Sequence, residues 1–334
     1  MNKRATLRDV AKAAGVSAMS VSKALNNKGG VSEETAKRIL ETARRLNYQP
    51  NMVAKGLRLD ETKTLGVVVS DSSEMVMSKI LRGIADKAEE LGYNIIIANT
   101  DRDCDKERHA VQVLINKCID GLLIVASTLT ASYDIEWLQS FRIPVALLMR
   151  ESPFVPIDTV INDNFSGGYQ IAKHLTAQGC KNFCFLMLSS VSQSGEARLK
   201  GNRKALEECG VPFDPDSVIY THPFIQDGYK NMKKMLRKSK SFDAVVCGCD
   251  LIAVGAMEAL FEAGISVPEQ VRIGGYDDIE LAGYLRVPLT TMRQPLYQIG
   301  QEGVRLIVER IRSGDTPARH IMLSSELVVR ASTK

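Results

Sequence analysis

The feature that most restricts this chain lies near its N-terminus, where apolar residues recur at Leu7, Val10, Ala11 and Ala14, one face of a helix at 3.6-residue spacing. Thr6 is placed to cap that helix, with Asp9 at its third position. Gly15 can take the left-handed backbone of a tight turn, and Ser17 is a natural cap for a second helix carrying Val21, Ala24 and Leu25 on its inner side. The spacing Ala11-x3-Gly15-x5-Val21 sets a small residue where two helices touch, glycine at the turn and a branched apolar residue facing back. Those are the requirements of a helix-turn-helix. A third helix is expected from the Ser32 cap, with Glu33 and Glu34 at its positive end and Ile39, Leu40, Ala43 and Leu46 beneath, closing a three-helix core.

Charge is concentrated in the same segment. The whole chain of 334 residues has a formal net charge of +4, yet residues 1–60 hold twelve Lys or Arg against five Asp or Glu, which leaves 31 basic and 34 acidic residues for the rest. A small basic module on a near-neutral body suits a polyanion-binding unit joined to a control domain. In a helix-turn-helix the second helix lies in the DNA major groove with its first residues at the base edges. Here those are Ala18, Met19 and Lys23, with Ser17, Ser20, Ser22 and Asn26 forming a polar face for phosphates. Ala18 and Met19 offer only apolar contact, as to a thymine methyl, whereas Lys23 can donate to guanine N7 and O6.

Composition removes several function classes. Hydrophobic residues make up 45% and charged residues 25%, enough for a sizeable buried core, and no apolar run reaches 18 residues, so no membrane partner is expected. The first ten residues carry charges where a secretory signal needs an apolar stretch, which points to the cytoplasm. Seven cysteines, an odd number without C-x-x-C, suit a reducing compartment and are expected as small buried side chains. Four scattered histidines without H-E-x-x-H give no metal site, and no cofactor or catalytic residue is expected.

Beyond residue 62 short apolar runs at 65–69, 95–98, 121–126 and 145–149 alternate with amphipathic stretches at 79–91, 107–117 and 133–141. A second set of runs follows at 183–188, 218–221, 244–247 and 271–274, with a last strand at 323–329. The alternation predicts two doubly wound α/β lobes in series. Ligands of open α/β sheets bind beyond the carboxyl ends of the strands, so the residues closing each run are candidates: Asp71, Asp101, Arg150, Asp250 and Asp277, with Arg198 on a second-lobe helix.

Taken as a set, T-L-R-D-V-A-K-A-A-G-V-S through V-S-K-A-L-N to N-Y-Q-P-N-x-V-A-x-x-L resembles the lactose/galactose repressor (LacI-type) family. The body is similar to that family's periplasmic-binding-protein-like core, through Arg-Leu at 198–199, Cys-Asp-Leu-Ile-Ala-Val-Gly-Ala at 249–256, Gly-Tyr-Asp-Asp at 275–278 and Leu-Thr-Thr-Met-Arg-Gln-Pro at 289–295. The resemblance implies a DNA-binding headpiece over residues 1–49, a hinge helix and linker over 50–61, and a two-lobed effector-binding and dimerisation domain over 62–334. Its lobe 1 spans about 62–160 and 293–321, and lobe 2 about 161–292 and 322–334. It also implies that Asn51, Val53, Ala54 and Leu57 order on DNA with Leu57 wedged into the minor groove, Gly56 being a poor helix former there, and that Thr6 contacts DNA. Arg198 and Asp277 would hydrogen-bond the effector, a sugar or sugar derivative.

Departures from the pattern bear on that effector. Glu74-Met75-Val76-Met77 replaces an expected aromatic after the first strand and puts Met77 on the candidate list, Met149 and Cys249 replace common Asp and Asn, and Phe224 is offered as an aromatic wall from the other lobe. The expected function is a homodimeric transcriptional regulator, in the sense of a repressor, that binds a near-palindromic operator under control of a small effector, with a protein corepressor left open as a further partner. With no heptad pattern after the last strand to join dimers, tetramers are not expected. The alternatives are an exported solute-binding protein, which has no use for a basic headpiece, and a doubly wound enzyme, for which neither G-x-G-x-x-G nor G-x-x-x-x-G-K-[ST] is present.

Overall fold

The computed structural model describes residues 5–25, 29–48, 61–126, 132–152, 156–189, 192–238, 241–314 and 317–334. The chain divides into two compact units, residues 1–62 and 63–334. The expected hinge residues Asn51, Val53, Ala54, Gly56 and Leu57, and Asn26 of the phosphate face, lie outside the described residues.

In the first unit helices α1 (Leu7–Ala14), α2 (Ala18–Leu25) and α3 (Glu33–Arg45) enclose Val10, Ala11, Ala14, Val21, Ala24, Ile39 and Ala43. Thr6 and Asp9 form a reciprocal capping box, the Thr6 N–H donating to Asp9 at 2.8 Å and the Asp9 N–H to the Thr6 hydroxyl at 3.3 Å. Gly15 closes α1 at φ 66°, and the Val16 N–H reaches back to the Ala11 carbonyl at 3.0 Å. Leu40, expected in the core, is instead on the exposed side. Ile39 and Ala43 set the inner face, and the residue sharing it is Thr42, whose hydroxyl is satisfied by the Arg38 carbonyl at 2.8 Å.

The second unit holds two six-stranded sheets. The first comprises β1 (Thr64–Val69), β2 (Asn94–Asn99), β3 (Gly121–Val125), β4 (Val145–Leu148), β5 (Asp158–Asn162) and β11 (His320–Leu323), all parallel, in the order β11-β5-β4-β3-β1-β2. The second comprises β6 (Phe183–Leu188), β7 (Val218–Thr221), β8 (Ala244–Cys247), β9 (Arg272–Asp277), β10 (Thr290–Arg293) and β12 (Glu326–Val328), in the order β12-β10-β9-β8-β6-β7, with β12 alone antiparallel. Helices α4 (Met75–Glu90), α5 (Cys104–Asn116), α6 (Ser132–Ser140) and α11 (Leu296–Ser313) belong to the first lobe. Helices α7 (Asn164–Ala177), α8 (Gln193–Glu208), α9 (Ile225–Leu236) and α10 (Asp250–Glu262) belong to the second. Because helices cover both faces, β3, β4 and β5 are buried at every position, the reason their sequences are runs and not alternations.

The chain crosses between lobes three times, near residues 162–164, 293–295 and 323–326. The third crossing corrects one sequence expectation: the single strand read at 323–329 is two short strands in different sheets. Ser325 sits at the break, its hydroxyl donating to the Asn162 side chain of the first crossing at 2.7 Å. The cysteines also depart, since Cys104, Cys118 and Cys209 are exposed while Cys180, Cys184, Cys247 and Cys249 are buried. Cys104 is the first residue of α5, Cys118 follows that helix at φ 57°, and Cys209 caps the end of α8.

Helices α7 and α8 touch backbone to backbone. A methyl on Gly168 would overlap the Arg198 carbonyl, and one on Gly201 would overlap the Phe165 carbonyl. This approach fixes the height of α8, and with it Arg198, above the second sheet. Gly201→Ala is expected to destabilise the protein by about 1–3 kcal/mol through overpacking, read as a lower urea midpoint; an unchanged midpoint would show that the helices separate at no cost.

Candidate functional site

The two lobes meet across the carboxyl ends of their parallel strands. Of the ten described non-glycine residues with positive φ, six stand at such ends: Asp101, Arg102, Ala126, Met149, Asp277 and Asp278. Backbone held in this region costs free energy and persists where surrounding structure enforces it, which is characteristic of binding sites.

On the second-lobe side Arg198 is 3% exposed, and two of its five N–H groups are donated to protein partners. Its Nε donates to Asn164 at 2.9 Å, one Nη donates to the Gly248 carbonyl at 2.6 Å and lies 3.9 Å from an Asp277 oxygen, and its plane rests 3.6 Å from the centre of the Tyr276 ring. Asp277, 8% exposed and at φ 120°, accepts from the Gln294 amide at 2.6 Å. Burial pushes its carboxyl up to about 6, Arg198 and Gln294 opposing the shift. The Gln294 carbonyl oxygen is buried and accepts nothing. Asp250 is placed behind this pair, not beside it: fully buried, it accepts from the Ile279 N–H at 2.9 Å and the Thr291 hydroxyl at 2.5 Å, pinning the loop after β9. Burial, then the nearby Asp277, push its carboxyl well above the usual range. Cys249 is buried beside them, its thiol also pushed up by burial.

On the first-lobe side the residues are less concentrated. Asp71 closes an Asx turn, accepting from the Ser73 hydroxyl at 2.7 Å and the Ser73 N–H at 2.9 Å, and these bonds hold its carboxyl low. Asp101 is exposed and paired with Lys106. Arg150 is half-buried, burial lowering its affinity for a proton while the buried Glu107 opposes that. Met77 departs from expectation, lying in the first-lobe core with Ile80 and Ile84 because it falls on the inner face of α4. Phe224 is 48% exposed, and the residue it meets is Arg102, whose guanidinium lies 5.6 Å from the ring centre and pairs with Glu74. The structure therefore brings Arg198 and Asp277 together, places the candidate Asp250 behind them as a buried anchor of the loop after β9, and leaves Asp101 and Met77 apart.

Several residues absent from the sequence-based candidates tie the lobes together. Lys79 of α4 donates to the Asp278 carbonyl at 3.1 Å, and Gln193 exchanges two hydrogen bonds of 3.2 Å with the peptide groups of Glu151. The Tyr276 hydroxyl accepts from Asn162 at 2.8 Å and lies 3.3 Å from the Ser325 hydroxyl, so the ring under Arg198 is held by two of the three crossings. Gln294 was within reach of the sequence, between a strand and Pro295 in the segment 289–295. Tyr276 and Asn162 were not, since 114 residues separate them.

In the first unit Met19 is 70% exposed and Ala18 and Ser17 are exposed on the start of α2. Ser17 is spent on capping, accepting from the Ser20 N–H at 3.1 Å and bonding its hydroxyl at 2.9 Å. Ser20 and Ser22 are half-buried. Lys23 is half-buried and its ammonium lies close to Gly30, so a methyl there would be 3.2 Å away. Thr6 is exposed with its hydroxyl donated to Asp9 at 2.7 Å.

The Asp277 shift has a sign that can be measured. A carboxyl at about 6 in the folded chain and near 3.8 when unfolded holds its proton more firmly when folded, so its contribution falls as pH rises from about 4 to 6, by about 2–3 kcal/mol. Asp277→Asn is expected to remove that decline, so the wild-type minus variant difference in unfolding free energy should drop across this window. An equal pH slope in both proteins would refute the shift.

Known proteins share this architecture. Residues 6–51 match the model of bacterial regulatory proteins of the lacI family, and residues 172–333 match a periplasmic binding protein-like domain. The transcriptional regulator DegA of Bacillus subtilis is 34% identical over 334 residues, covering 99% of this chain and 98% of that one. A lac repressor dimer bound to operator and the anti-inducer ONPF superposes with a TM-score of 0.90 at 27% identity, covering 99% of each chain. A complex of the transcriptional regulator CelR with cellobiose gives 0.76 at 28%, covering 98% of this chain and 100% of the other. With a capped helix-turn-helix on a two-lobed body whose strand ends enclose a buried Arg–Asp pair, this chain belongs to the LacI family and is a DNA-binding transcriptional regulator.

Proposed function

We propose that the cleft binds a small hydroxyl-rich effector, a sugar or sugar derivative, through Arg198 and Asp277, and that its occupancy sets the operator affinity of the N-terminal module. The observation that carries this reading is the buried Arg198–Asp277 pair at 3.9 Å, anchored through Tyr276 to the crossings on which any change of lobe angle must act. An aspartate accepts from adjacent hydroxyls and a guanidinium donates to them, the pairing a sugar needs. The binding of cellobiose by a relative of the same architecture supports it. In this reading residues 1–49 bind DNA, 50–61 form the hinge, and the remainder senses the effector.

On DNA, Ala18 and Met19 contact bases apolarly and Lys23 reads guanine after leaving its resting place near Gly30. Thr6 and Ser17, at the helix caps, and the half-buried Ser20 and Ser22 serve the phosphates. A second copy of the chain covers β2, an edge strand exposing Ile96 and Ile97 on its two faces, since an apolar open edge is otherwise an aggregation hazard. Two-fold symmetry then doubles the few base-reading residues and calls for a near-palindromic operator.

Operator titrations at fixed salt test both halves of this reading. Arg198→Ala is expected to leave effector-free operator binding nearly intact and abolish the effector response, with effector affinity down roughly ten- to a hundredfold. Lys23→Ala is expected to lose about 1–3 kcal/mol on the preferred operator and flatten discrimination at one base pair per half-site. Uniform weakening on all sequences would make Lys23 a phosphate contact. Sedimentation is expected to show a dimer at micromolar concentration, and a stable monomer would remove the β2 interface.

A further inference from the structure

A second cavity, of about 670 Å³, lies in the first lobe away from the cleft. Val145, Asp158 and His320, which line it, are the first residues of the neighbouring strands β4, β5 and β11. These strands are parallel, so their amino ends enclose the cavity while their carboxyl ends face the cleft. The five residues of β5 put about 16 Å between the two. Ligands of open α/β sheets gather at the carboxyl ends, a rule that gives no account of a space of small-molecule size at the opposite ends.

The wall is rigid and offers few polar groups. Pro144, Pro156 and Pro317 line it with fixed rings and no N–H to donate. Their carbonyls are also occupied, accepting from the Leu122 N–H at 2.8 Å, the Gln139 amide at 2.9 Å and the Arg310 guanidinium at 3.1 Å. Ile143, Val145, Ile157 and Ala318 extend the apolar surface. The floor is an ion pair. Arg310 holds the buried Asp158 through two bonds of 2.6 and 2.8 Å, and the Arg319 N–H gives that carboxylate a third at 2.8 Å. Both Asp158 oxygens are thus engaged, and sugar hydroxyls would have to displace these donors. A phosphate would meet only guanidiniums that already have carboxylate partners, Arg310 with Asp158 and Arg319 with Glu309.

Two exposed lining groups are only half used. The Thr159 hydroxyl bonds Nδ1 of His320 at 2.8 Å and fixes the ring, while Nε2 has no partner among the described residues. The Gln139 side chain donates through its nitrogen, and its oxygen accepts from no described residue. A ring edge with an N–H beside an unprotonated nitrogen can serve both, and its flat faces suit proline rings and a guanidinium plane. We propose that this cavity is a second small-molecule site, separate from the cleft, that takes a flat, uncharged nitrogen heterocycle between the proline wall and the Arg310–Asp158 floor, with His320 and Gln139 bonding its edge.

Calorimetry on the full-length protein tests the site with benzimidazole and 7-azaindole, which carry that edge, against glucose and inorganic phosphate. At least one heterocycle is expected to bind and to shift one of the four histidine ring signals in a proton–nitrogen correlation spectrum. His320→Ala is expected to remove that signal and weaken binding about three- to tenfold, the loss of one hydrogen bond. Ala318→Trp, which fills the cavity, is expected to abolish binding. Gln139→Trp, from the exposed side of α6, does the same if Ala318→Trp does not fold. Asp277→Asn, in the cleft, is expected to leave binding unchanged. The proposal is overturned if neither heterocycle binds, if glucose or phosphate shifts the His320 signal as strongly, or if His320→Ala binds as well as wild type. It is equally overturned if binding survives in a tryptophan variant with the wild-type melting temperature, or if Asp277→Asn removes it.

Discussion

A guanidinium buried as deeply as that of Arg198 must have its charge answered on every side, and much of the second lobe is arranged to answer it. Asn164 and the Gly248 carbonyl take its hydrogens, Asp277 supplies the opposing charge and the Tyr276 ring supplies a flat surface beneath. The four partners come from three segments, so the side chain brings the start of α7, the end of β8 and the end of β9 to one point. The glycines of α7 and α8 are part of the same constraint, because only a close helix pair brings Arg198 down to that level.

The same constraint reaches the lobe boundary. Tyr276 is both the floor under Arg198 and a hydrogen-bond partner of Asn162 and Ser325, which lie on two separate crossings. Asp278, the next residue but one, is held by Arg293 and Arg330 at 2.7 and 2.6 Å; burial works against its ionisation, but these two cations overcome it and hold its carboxyl low. Its carbonyl accepts from Lys79 of the other lobe. A change in how Asp277 is held would therefore reach residues that hydrogen-bond across the lobe boundary, the coupling that effector control of a two-lobed protein requires.

Charge is distributed differently in the two units. The body matches cations with carboxylates at short range, while the N-terminal module carries its excess of Lys and Arg without enough acids to neutralise it. Self-repulsion in so small a core is offset by local devices such as the Thr6–Asp9 capping box and the Gly15 turn. Its surplus positive field is left for a polyanion.

The sequence by itself determined whatever depends on local spacing. The helix-turn-helix followed from Leu7 to Val21, the parallel sheets from short apolar runs between amphipathic stretches, and the membership of Arg198 and Asp277 in one site from a family resemblance. Local spacing cannot say which end of a side chain meets which: Met77, a cleft candidate from its place after the first strand, lies in the core by its helical phase, Asp250, a candidate effector ligand at a strand end, is held inside by Ile279 and Thr291, and residues 323–329, which read as one strand, serve two sheets. Only the tertiary structure decided the pairs that are far apart in sequence: Tyr276 with Asn162, Arg102 with Phe224, and Gln294 with Asp277. Those contacts form when the chain has crossed between lobes three times, and no periodicity in the sequence encodes where the crossings bring side chains together.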